Sequence, residues 1–590
     1  MNRKALLTLA FLTISASAFA DGDDPPSRVA RLNFQSGSVS FRPGSVEEWS
    51  PATMNYPLTT GDHLWADAGA QTEIHVGSTA IRMAPQTAMS ILNLDDRTVQ
   101  LSLTQGTIHI RIRNMADDEA YEVDTPNVAV TLLRPGDYRI SADSDNNITF
   151  VTVRAGDAAV TGGGAAFPVH PRESARIAGA ESVTQEISAV PPSDEFDRWC
   201  EARERREAQA QISARYVPRD MVGYEDLDEY GVWTQSPQYG WVWTPRGVAA
   251  GWAPYHYGHW AWVEPWGWTW IDEAPWGFAP FHYGRWAFAG GAWVWVPGRM
   301  VVGARPVYAP ALVAFVGGAG FGVSVGVGGG GVAAWFPLGP GEVYRPAYHV
   351  SEVYVRQINI VHVTNVSVIG VTNVRYVNQN VQGAVMVVPH EAFVTARPVA
   401  QVSVRVDARV IAQAQVTGTT ALVAPRRESI VVVRTGGPVA APPARLVQRT
   451  VVVKTAPPPP PVSFAARQQA LQANPGRPLE PAQVNTLRNN APAPRPMVRT
   501  LPTRQEPAVA QPQPRSDRPP NATPRPQPAA QPAAQPAVRQ EPPNERMPVA
   551  RPPQPAAQPA AAPRNERPQQ EAAPKEKQKK KDEKKKEEKK

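Results

Sequence analysis

Cysteine is almost absent from this chain of 590 residues, and Cys200 is the single one. A lone cysteine excludes a disulfide framework and leaves a free thiol or a bridge to a second chain, of which we expect an inert free thiol. The H-E-x-x-H motif and paired Cys/His metal spacings are also missing. The sequence therefore predicts a protein that is not an enzyme, with no catalytic residue, no cofactor and no metal ligand.

Long apolar runs are scarce as well. The exception is at the start, where Asn2-Arg3-Lys4 precede an apolar run to Ile14 and small residues ending Ala18-Phe19-Ala20. This pattern is typical of a secretory signal peptide over 1–20, so we expect an exported protein, periplasmic or secreted. No cysteine follows the cleavage point and the run is too short to span a bilayer, so neither a lipid anchor nor a membrane-spanning helix is expected.

Charge is missing from residues 307–341, which raises the question of a second membrane span. Nine glycines among 317–331 cost a helix roughly 9 kcal/mol at about 1 kcal/mol each, so a flexible loop between β elements is favoured. A G-x-G-x-x-G match at 326–331 lacks a following helix pattern, and we expect no phosphate site there. The rest of 301–400, with Val-Thr-Asn-Val at 363 and 371, predicts strand and turn repeats, and 401–441 predicts weakly ordered β structure or linker.

Aromatic residues are absent after Phe464, while 34 of the 63 prolines lie between Pro442 and Pro574. Too little apolar surface remains to offset the entropy of ordering, so 442–574 is predicted to be disordered. Residues 575–590 hold ten lysines and five acids, +5 of the net +7. This tail is expected to contact an anionic surface or only to solubilise the chain, and a nucleic-acid partner is not expected.

Tryptophan, in contrast, is concentrated. Thirteen of the seventeen tryptophans fall between Tyr230 and Pro297, where Tyr-Gly-x-Trp recurs three times and each copy is followed by Trp-x-Trp. A spacing of two places both indoles on one face of a strand, so residues 223–300 predict a repeat of β-hairpins.

The function of these indoles has two interpretations. The block contains no leucine, no methionine and a single isoleucine between Asp228 and Arg299, so the aromatic rings are expected to form most of its core. The alternative is that a few rings stay partly exposed and bind a flat ligand. The residues chosen for that role are Trp262, Trp266, Trp276, His256 and His282.

Residues 21–190 show short runs with apolar residues at every second position, separated by glycine turns. This alternation predicts an antiparallel β-domain with one buried and one solvated face. His75 and His109 fall on the polar side of such strands and are expected to be solvated.

The strings LTTGDHLWADAGAQTEIHVGSTAIRM, VQLSLTQGTIHIRI, EVDTPNVAVTLLRPGDYRI and VTVRAGDAAV occur in this order and resemble the periplasmic β-domain of FecR-type proteins. The FecR family's central Arg-Gly-Thr is replaced here by Leu133-Arg134-Pro135-Gly136-Asp137. Proteins of that family pass a signal from an outer-membrane receptor to a cytoplasmic sigma factor. The resemblance implies a β-domain that docks another envelope protein.

Residues 191–222 predict a connecting helix, capped by Ser193, with acids in its first turn and opposite charges four residues apart. Its small apolar content indicates a solvated helix attached mainly at its N-terminal end. The four carboxylates that follow, Glu225, Asp226, Asp228 and Glu229, match no calcium-loop spacing, so no metal is expected.

The strings WGWTW, APWGFAPFHYGRW and WFPLGP resemble an uncharacterised family of proline-rich exported bacterial proteins, over about 190–400. That resemblance implies no catalytic residues. Of the carboxylates in the block, Glu264 and Asp272 are the nearest approach to an acid/base pair, and their placement on one hairpin is poor for it. The sequence thus predicts a mainly β, non-enzymatic envelope protein that binds or scaffolds envelope polysaccharide or peptidoglycan, or alternatively a FecR-like regulatory partner.

Overall fold

The computed structural model describes residues 24–301, 304–317, 321, 331–362, 376–431, 439–491 and 497–501. The chain divides into two units, 1–505 and 506–590, and every described residue belongs to the first. The predicted signal peptide, most of the glycine-rich segment, the two Val-Thr-Asn-Val copies and the lysine tail lie outside the described residues. The fold is mainly β, as predicted.

Seventeen strands form the first β region. They are Ala30–Ser36 (β1), Val39–Arg42 (β2), Ser50–Pro51 (β3), Pro57–Leu58 (β4), His63–Ala66 (β5), Gln71–Val76 (β6), Thr79–Met83 (β7), Thr87–Leu94 (β8), Thr98–Ile112 (β9), Ala120–Asp124 (β10), Ala129–Leu132 (β11), Gly136–Asp143 (β12), Ile148–Ala155 (β13), Ala158–Gly162 (β14), Ala165–Val169 (β15), Glu173–Ala178 (β16) and Thr184–Ala189 (β17).

The long strand β9 joins two sheets. Its C-terminal half lies between β7 and β12 in the order β4-β1-β6-β7-β9-β12-β13-β16-β17. Its N-terminal half lies between β8 and β10 in the order β3-β2-β5-β8-β9-β10-β11-β14-β15. The β9–β10 pair is parallel, and the other pairs are antiparallel, which confirms the expected antiparallel character.

The first of these sheets has two different faces, as period-two alternation requires. One face carries a cross-strand row of buried apolar side chains that runs through Ile74, Ile81, Ile110, Tyr138 and Val153. The other face carries charged and polar side chains in the neighbouring register positions. The prediction of one apolar and one polar face is correct, but the polar face is buried too.

The helix Glu195–Glu207 (α1) covers that polar face. Its cap is Asp194, which shares a reciprocal capping box with Asp197, and this corrects the expected cap at Ser193. Phe196, Asp197 and Cys200 are buried on the sheet. The helix is therefore not a solvated connector, because its charged side chains pair with charges on the sheet and not mainly with one another.

The tryptophan-rich block forms three hairpins, as predicted from the Trp-x-Trp spacing. Its strands are Gly231–Ser236 (β18), Gly240–Pro245 (β19), Gly258–Val263 (β20), Gly267–Asp272 (β21), Arg285–Ala289 (β22) and Ala292–Val296 (β23). The outer two hairpins join through Trp243 and Trp295, and the middle hairpin stands as a separate two-stranded sheet. The indoles form the core: Trp260, for example, is buried among Trp270, Trp335, Phe315 and Phe393.

The segment after the hairpins contributes a four-stranded sheet, built from Val313–Gly317 (β24), Val332–Pro337 (β25), Met386–Pro389 (β26) and Gln415–Gly418 (β27) in the order β26-β25-β24-β27. One expectation changes here. The apolar-rich start of the predicted strand repeat is the helix Glu352–Asn359, capped by Ser351 and packed through Tyr354 and Ile358. Residues 401–441, for which weakly ordered β structure or a linker was the prediction, supply the strand β27 and bury Ile430.

Residues 439–491 form a segment that we call the C-terminal strap, and it corrects the expected onset of disorder at Pro442. Its elements are helix Ala444–Val447, strand Val451–Val453 (β28), helix Phe464–Ala473 and helix Pro481–Asn490, with Val498–Thr500 (β29) beside β28. A few apolar anchors, Val453, Phe464 and Leu471, are buried. Backbone bonds fix the strap to the β-domain, from Val452 to Thr125 and from Phe464 to Ser45.

The remaining helices are short: Leu227–Tyr230, Ala279–His282, His390–Val394, Val399–Val402 and Ala408–Gln413, with 3-10 turns at Ser213–Arg215, Tyr224–Asp226, Asn378–Asn380 and Arg427–Ser429. In the parts of the chain that the structure describes, no helix has both the length and the apolar character needed to cross a membrane.

Candidate functional site

A cavity of about 440 Å³ lies where the turn of the middle hairpin, the β-domain and the C-terminal strap meet. The hairpin turn provides Trp262 and Trp266, the β-domain provides Tyr56 and Asp62, and the strap provides Arg467. Small-molecule sites commonly measure about 300–1,000 Å³ and combine apolar walls with a few placed polar groups. This cavity has that size and that mixture.

Glu264 organises the hairpin side of the cavity. Its carboxylate accepts a hydrogen bond from the Trp262 indole (Nε1 to Oε1, 2.7 Å) and forms an ion pair with Nη1 of Arg467. Trp262 meets Trp268 edge to face at 5.5 Å, and Trp266 meets Tyr308 in the same way at 5.0 Å. These contacts fix both rings, so the cavity wall is rigid on this side.

Arg467 is 3% exposed. With Nη1 held by Glu264, its Nε and Nη2 have no hydrogen-bond partner among the described residues. Two further arginines line the cavity with unsatisfied donors within the same described part of the chain, at Nη2 of Arg28 and Nε of Arg488. Buried guanidinium donors are costly when unpaired, so this side of the cavity is suited to an acceptor group.

Asp62 provides the acidic counterpart. Its two carboxylate oxygens accept from the backbone N–H of Gly44 (3.1 Å) and of Thr59 (2.8 Å). Burial nevertheless outweighs these bonds and raises the pKa of Asp62 to about 7. Near neutral pH the group is therefore partly protonated, which lowers its repulsion of an anion.

The five residues predicted for ligand contact do not converge on one site. Trp262 and Trp266 line this cavity with small exposed fractions, but the other three lie elsewhere. Trp276 is buried against Trp243 and Phe281.

The two predicted histidines serve the packing. His282 is fully buried and bonds through Nδ1 to the Ala309 carbonyl at 2.8 Å, and burial lowers its pKa to about 3. His256 is half-buried beside the Ala384 carbonyl, and burial lowers its pKa to about 4. Neutral, buried imidazoles of this kind fill space and satisfy backbone acceptors.

A network of charged side chains, which the sequence did not reveal, lies under helix α1. Glu73 accepts from Arg82 (Nε, 2.6 Å) and from Arg203 of the helix (Nη2, 2.6 Å). Arg82 also reaches Glu204 at 3.0 Å and Glu207 at 2.7 Å. The network ties the sheet to the helix through charges that are largely buried.

His75 lies at the centre of this network and is buried, which corrects its predicted solvation. Its Nδ1 bonds to Glu225, and its Nε2 lies 3.2 Å from Glu73 and 3.4 Å from Glu207. Burial alone would lower the pKa of His75, but the facing carboxylates of Glu225 and Glu207 raise it well above its usual value.

His109 is also buried rather than solvated, because Asp137 pairs with its Nε2 at 2.9 Å. Both histidines occupy the predicted polar face, and the covering helix is what removes them from water.

The carboxylates and imidazole of Glu73, His75 and Glu207 lie close enough together to hold a metal ion. The donor set fits an ion-pair network better, because Glu73 and Glu207 are already bound by Arg82 and a cation would face its guanidinium. The four carboxylates after the helix are likewise engaged: Glu225 and Asp226 lie beside Arg31, Asp228 accepts a hydrogen bond from the backbone N–H of Ser213, and Glu229 pairs with Arg206.

The two carboxylates of the middle hairpin, Asp272 and Glu264, bind different partners. Asp272 is buried, accepts from the Trp270 indole at 3.0 Å, and has its pKa raised to about 8 by burial. Glu264 turns toward Arg467. A G-x-S-x-G spacing at Gly322–Gly326 lies outside the described residues.

Comparison with known proteins matches residues 224–342 to the model of a family of unknown function (DUF6600). This match begins at the 3-10 turn before the first hairpin and ends after β25. No curated protein matches the chain.

Two solved structures of one protein are similar over part of the chain; it is described as a "putative anti-sigma factor from Parabacteroides distasonis". Each is 12% identical with a TM-score of 0.20, and the match covers 22% of this chain and 60% of that protein. The chain thus spans less than two thirds of that protein's length.

Proposed function

We propose that this protein is a non-enzymatic, exported cell-envelope protein that binds an envelope polymer, polysaccharide or peptidoglycan, in the cavity between the middle hairpin and the C-terminal strap. The observation that supports this is a cavity of about 440 Å³ that is lined by two indoles, Trp262 and Trp266, and by three arginines with buried donors that lack a partner among the described residues. Sugar rings offer flat C–H faces to indoles and hydroxyls to polar groups, so a saccharide suits both kinds of wall.

The deep burial of the other indoles restricts where a ligand can bind. Trp260, Trp270 and Trp286 are fully buried in the core and do not line the cavity. The block therefore acts as a rigid support, and binding is confined to the hairpin turn where the packing leaves space.

A retention assay on insoluble envelope polymers tests this function. Asn485 is exposed and lines the cavity, so Asn485→Trp should fill it without disturbing the core. Asn490 is exposed on the same helix away from the cavity, and Asn490→Trp is the matched control. We expect the full-length protein and the control to be retained on sacculi or polysaccharide, and Asn485→Trp to be retained at least about fivefold less. Equal retention of the two variants would contradict the proposal.

A regulatory role through docking of another envelope protein is the second candidate, and the strand β17 favours it. All six of its residues are exposed, Ile187 is an exposed apolar side chain, and among the described strands β17 pairs only with β16. An open edge of this kind can accept a strand from a partner. Cross-linking in intact cells tests this: a discrete adduct that Ile187→Lys abolishes supports docking, and no adduct argues against it.

A further inference from the structure

The unpaired edge of Arg467 indicates which ligand the cavity takes. Nη1 is occupied by Glu264, so the nitrogens left free are Nε and Nη2. These two carry parallel N–H groups on one edge of the guanidinium plane, the fork that matches two oxygens of a planar carboxylate.

The surroundings of that edge favour an anion. Arg28 and Arg488 also line the cavity, and each has a buried N–H group without a partner among the described residues. The acidic groups nearby already have partners: Glu264 holds Arg467, and Asp95 accepts from the backbone N–H of Arg97 and Thr98. Among the described residues that line the cavity, the buried donors without partners belong to the three arginines and the Trp266 indole, while Glu264, Asp95 and Asp62 already accept hydrogen bonds.

The side chain is fixed in a way that a solvent-exposed arginine is not. Arg467 belongs to the helix Phe464–Ala473, whose Phe464 and Leu471 are buried. Its ion pair with Glu264 joins the strap to the hairpin turn beside Trp262. A ligand group at the free edge would thus lie next to the indole wall.

We propose that the cavity binds the carboxylate groups of an acidic glycan, with the Nε/Nη2 edge of Arg467 as the recognising group. This rests on the proposed function, because it names the polymer class for the same cavity. The strap then supplies the specificity, and the hairpin supplies the surface for the sugar ring. Two sources share this chemistry: a polyuronate, and a peptidoglycan glycan, through its peptide carboxylates or, where the peptide has been removed, its lactyl carboxylates.

Titration calorimetry on the full-length protein tests the proposal, with oligogalacturonate as the acidic probe, a neutral malto-oligosaccharide of equal length, and solubilised peptidoglycan glycan. Arg467→Gln removes the fork, and Arg477→Gln is the matched control, since Arg477 is exposed on the same strap and does not line the cavity. Both variants keep the lysine tail, so any unspecific attraction of the acidic probe is the same in each.

We expect an acidic probe to bind and the neutral probe to bind at least about tenfold more weakly. Arg467→Gln should lower the affinity for the acidic probe at least about tenfold, while Arg477→Gln should leave that affinity unchanged. The probe that binds more tightly, oligogalacturonate or peptidoglycan glycan, identifies the source. Asn485→Glu, compared with Asn490→Glu, repeats the test at exposed positions if Arg467→Gln does not fold, because a carboxylate at the cavity mouth repels an acidic ligand.

The outcomes separate the two proposals. If the protein is retained on envelope polymers but binds acidic and neutral probes equally, or ignores Arg467→Gln, the carboxylate inference is overturned and the polymer-binding function stands. Polyphosphate serves as a further anionic probe without carboxylates. If it binds and no carboxylate probe does, the carboxylate inference is overturned as well. If no polymer or probe binds, the proposed function itself fails.

Discussion

The substitution Glu73→Gln tests the buried network beneath helix α1. Glutamine keeps the size of the side chain but removes the charge that faces Arg82 and Arg203, both at 2.6 Å. Removing one partner of a buried ion pair costs about 3–5 kcal/mol, because the other charge stays buried without compensation. Arg82 retains Glu204 and Glu207, so we expect a loss near the lower end, about 3 kcal/mol.

Equilibrium urea unfolding of the full-length protein measures this loss from the shift in midpoint and the slope. Glu391→Gln is the control, since Glu391 pairs with Arg426 while 66% exposed, and exposed pairs contribute less than about 1 kcal/mol. If Glu73→Gln lowered the unfolding free energy by no more than Glu391→Gln does, the buried network would not stabilise the packing of helix α1 on the sheet.

Three further predictions concern other parts of the chain. Because the folded-state pKa of His75 is raised, its contribution to the free energy of unfolding is complete below about pH 6.5 and declines as the pH rises through the folded-state pKa. The difference in unfolding free energy between wild type and His75→Gln should therefore shrink from pH 6 toward pH 9 in urea titrations. A constant difference would refute this. Trp260→Ala should lower the free energy of unfolding by about 3–5 kcal/mol, whereas Trp241→Ala should lower it by less than about 1 kcal/mol because Trp241 is 44% exposed. Similar losses for the two variants in thermal unfolding would contradict the conclusion that the buried indoles form the core. Deleting Lys575–Lys590 should leave the melting temperature unchanged but lower retention on anionic vesicles at low salt. Equal retention of the truncated and full-length proteins would show that the tail only solubilises the chain.

Local patterns predicted local structure well. The Trp-x-Trp spacing identified the three hairpins, since a period of two has only one reading on a strand. The lack of leucine and methionine in the same block correctly placed the indoles in the core. Alternation in the first 190 residues likewise predicted antiparallel β structure.

Contacts between distant segments were not predictable in this way. Glu73 and Arg203 are 130 residues apart, and no spacing along the chain links them. The sequence therefore predicted a solvated polar face on these strands, because the helix that covers this face is equally polar. Paired charges on two polar faces can bury each other, and a pattern of single residues does not show that.

The C-terminal strap was missed for a related reason. High proline content with few aromatic residues predicts disorder, but the strap needs only a few anchors because the β-domain and the hairpin provide the other side of its core. Glu122, for example, accepts from the backbone N–H of Lys454 and of Thr455. Since Arg467 and eight more of the 28 residues that line the cavity lie on this strap, the sequence predicted only the part of the candidate site that contains Trp262 and Trp266.

Amide hydrogen exchange with and without bound polymer tests whether the cavity beside Arg467 is where the ligand binds. The full-length protein is incubated with soluble glycan fragments of the envelope, and exchange is followed by peptide mass spectrometry. We expect slower exchange on binding in peptides that cover 59–62, 262–266 and 461–467, with Thr184–Ala189 unchanged. Unchanged exchange around the cavity, or protection confined to Thr184–Ala189, would contradict ligand binding in this cavity.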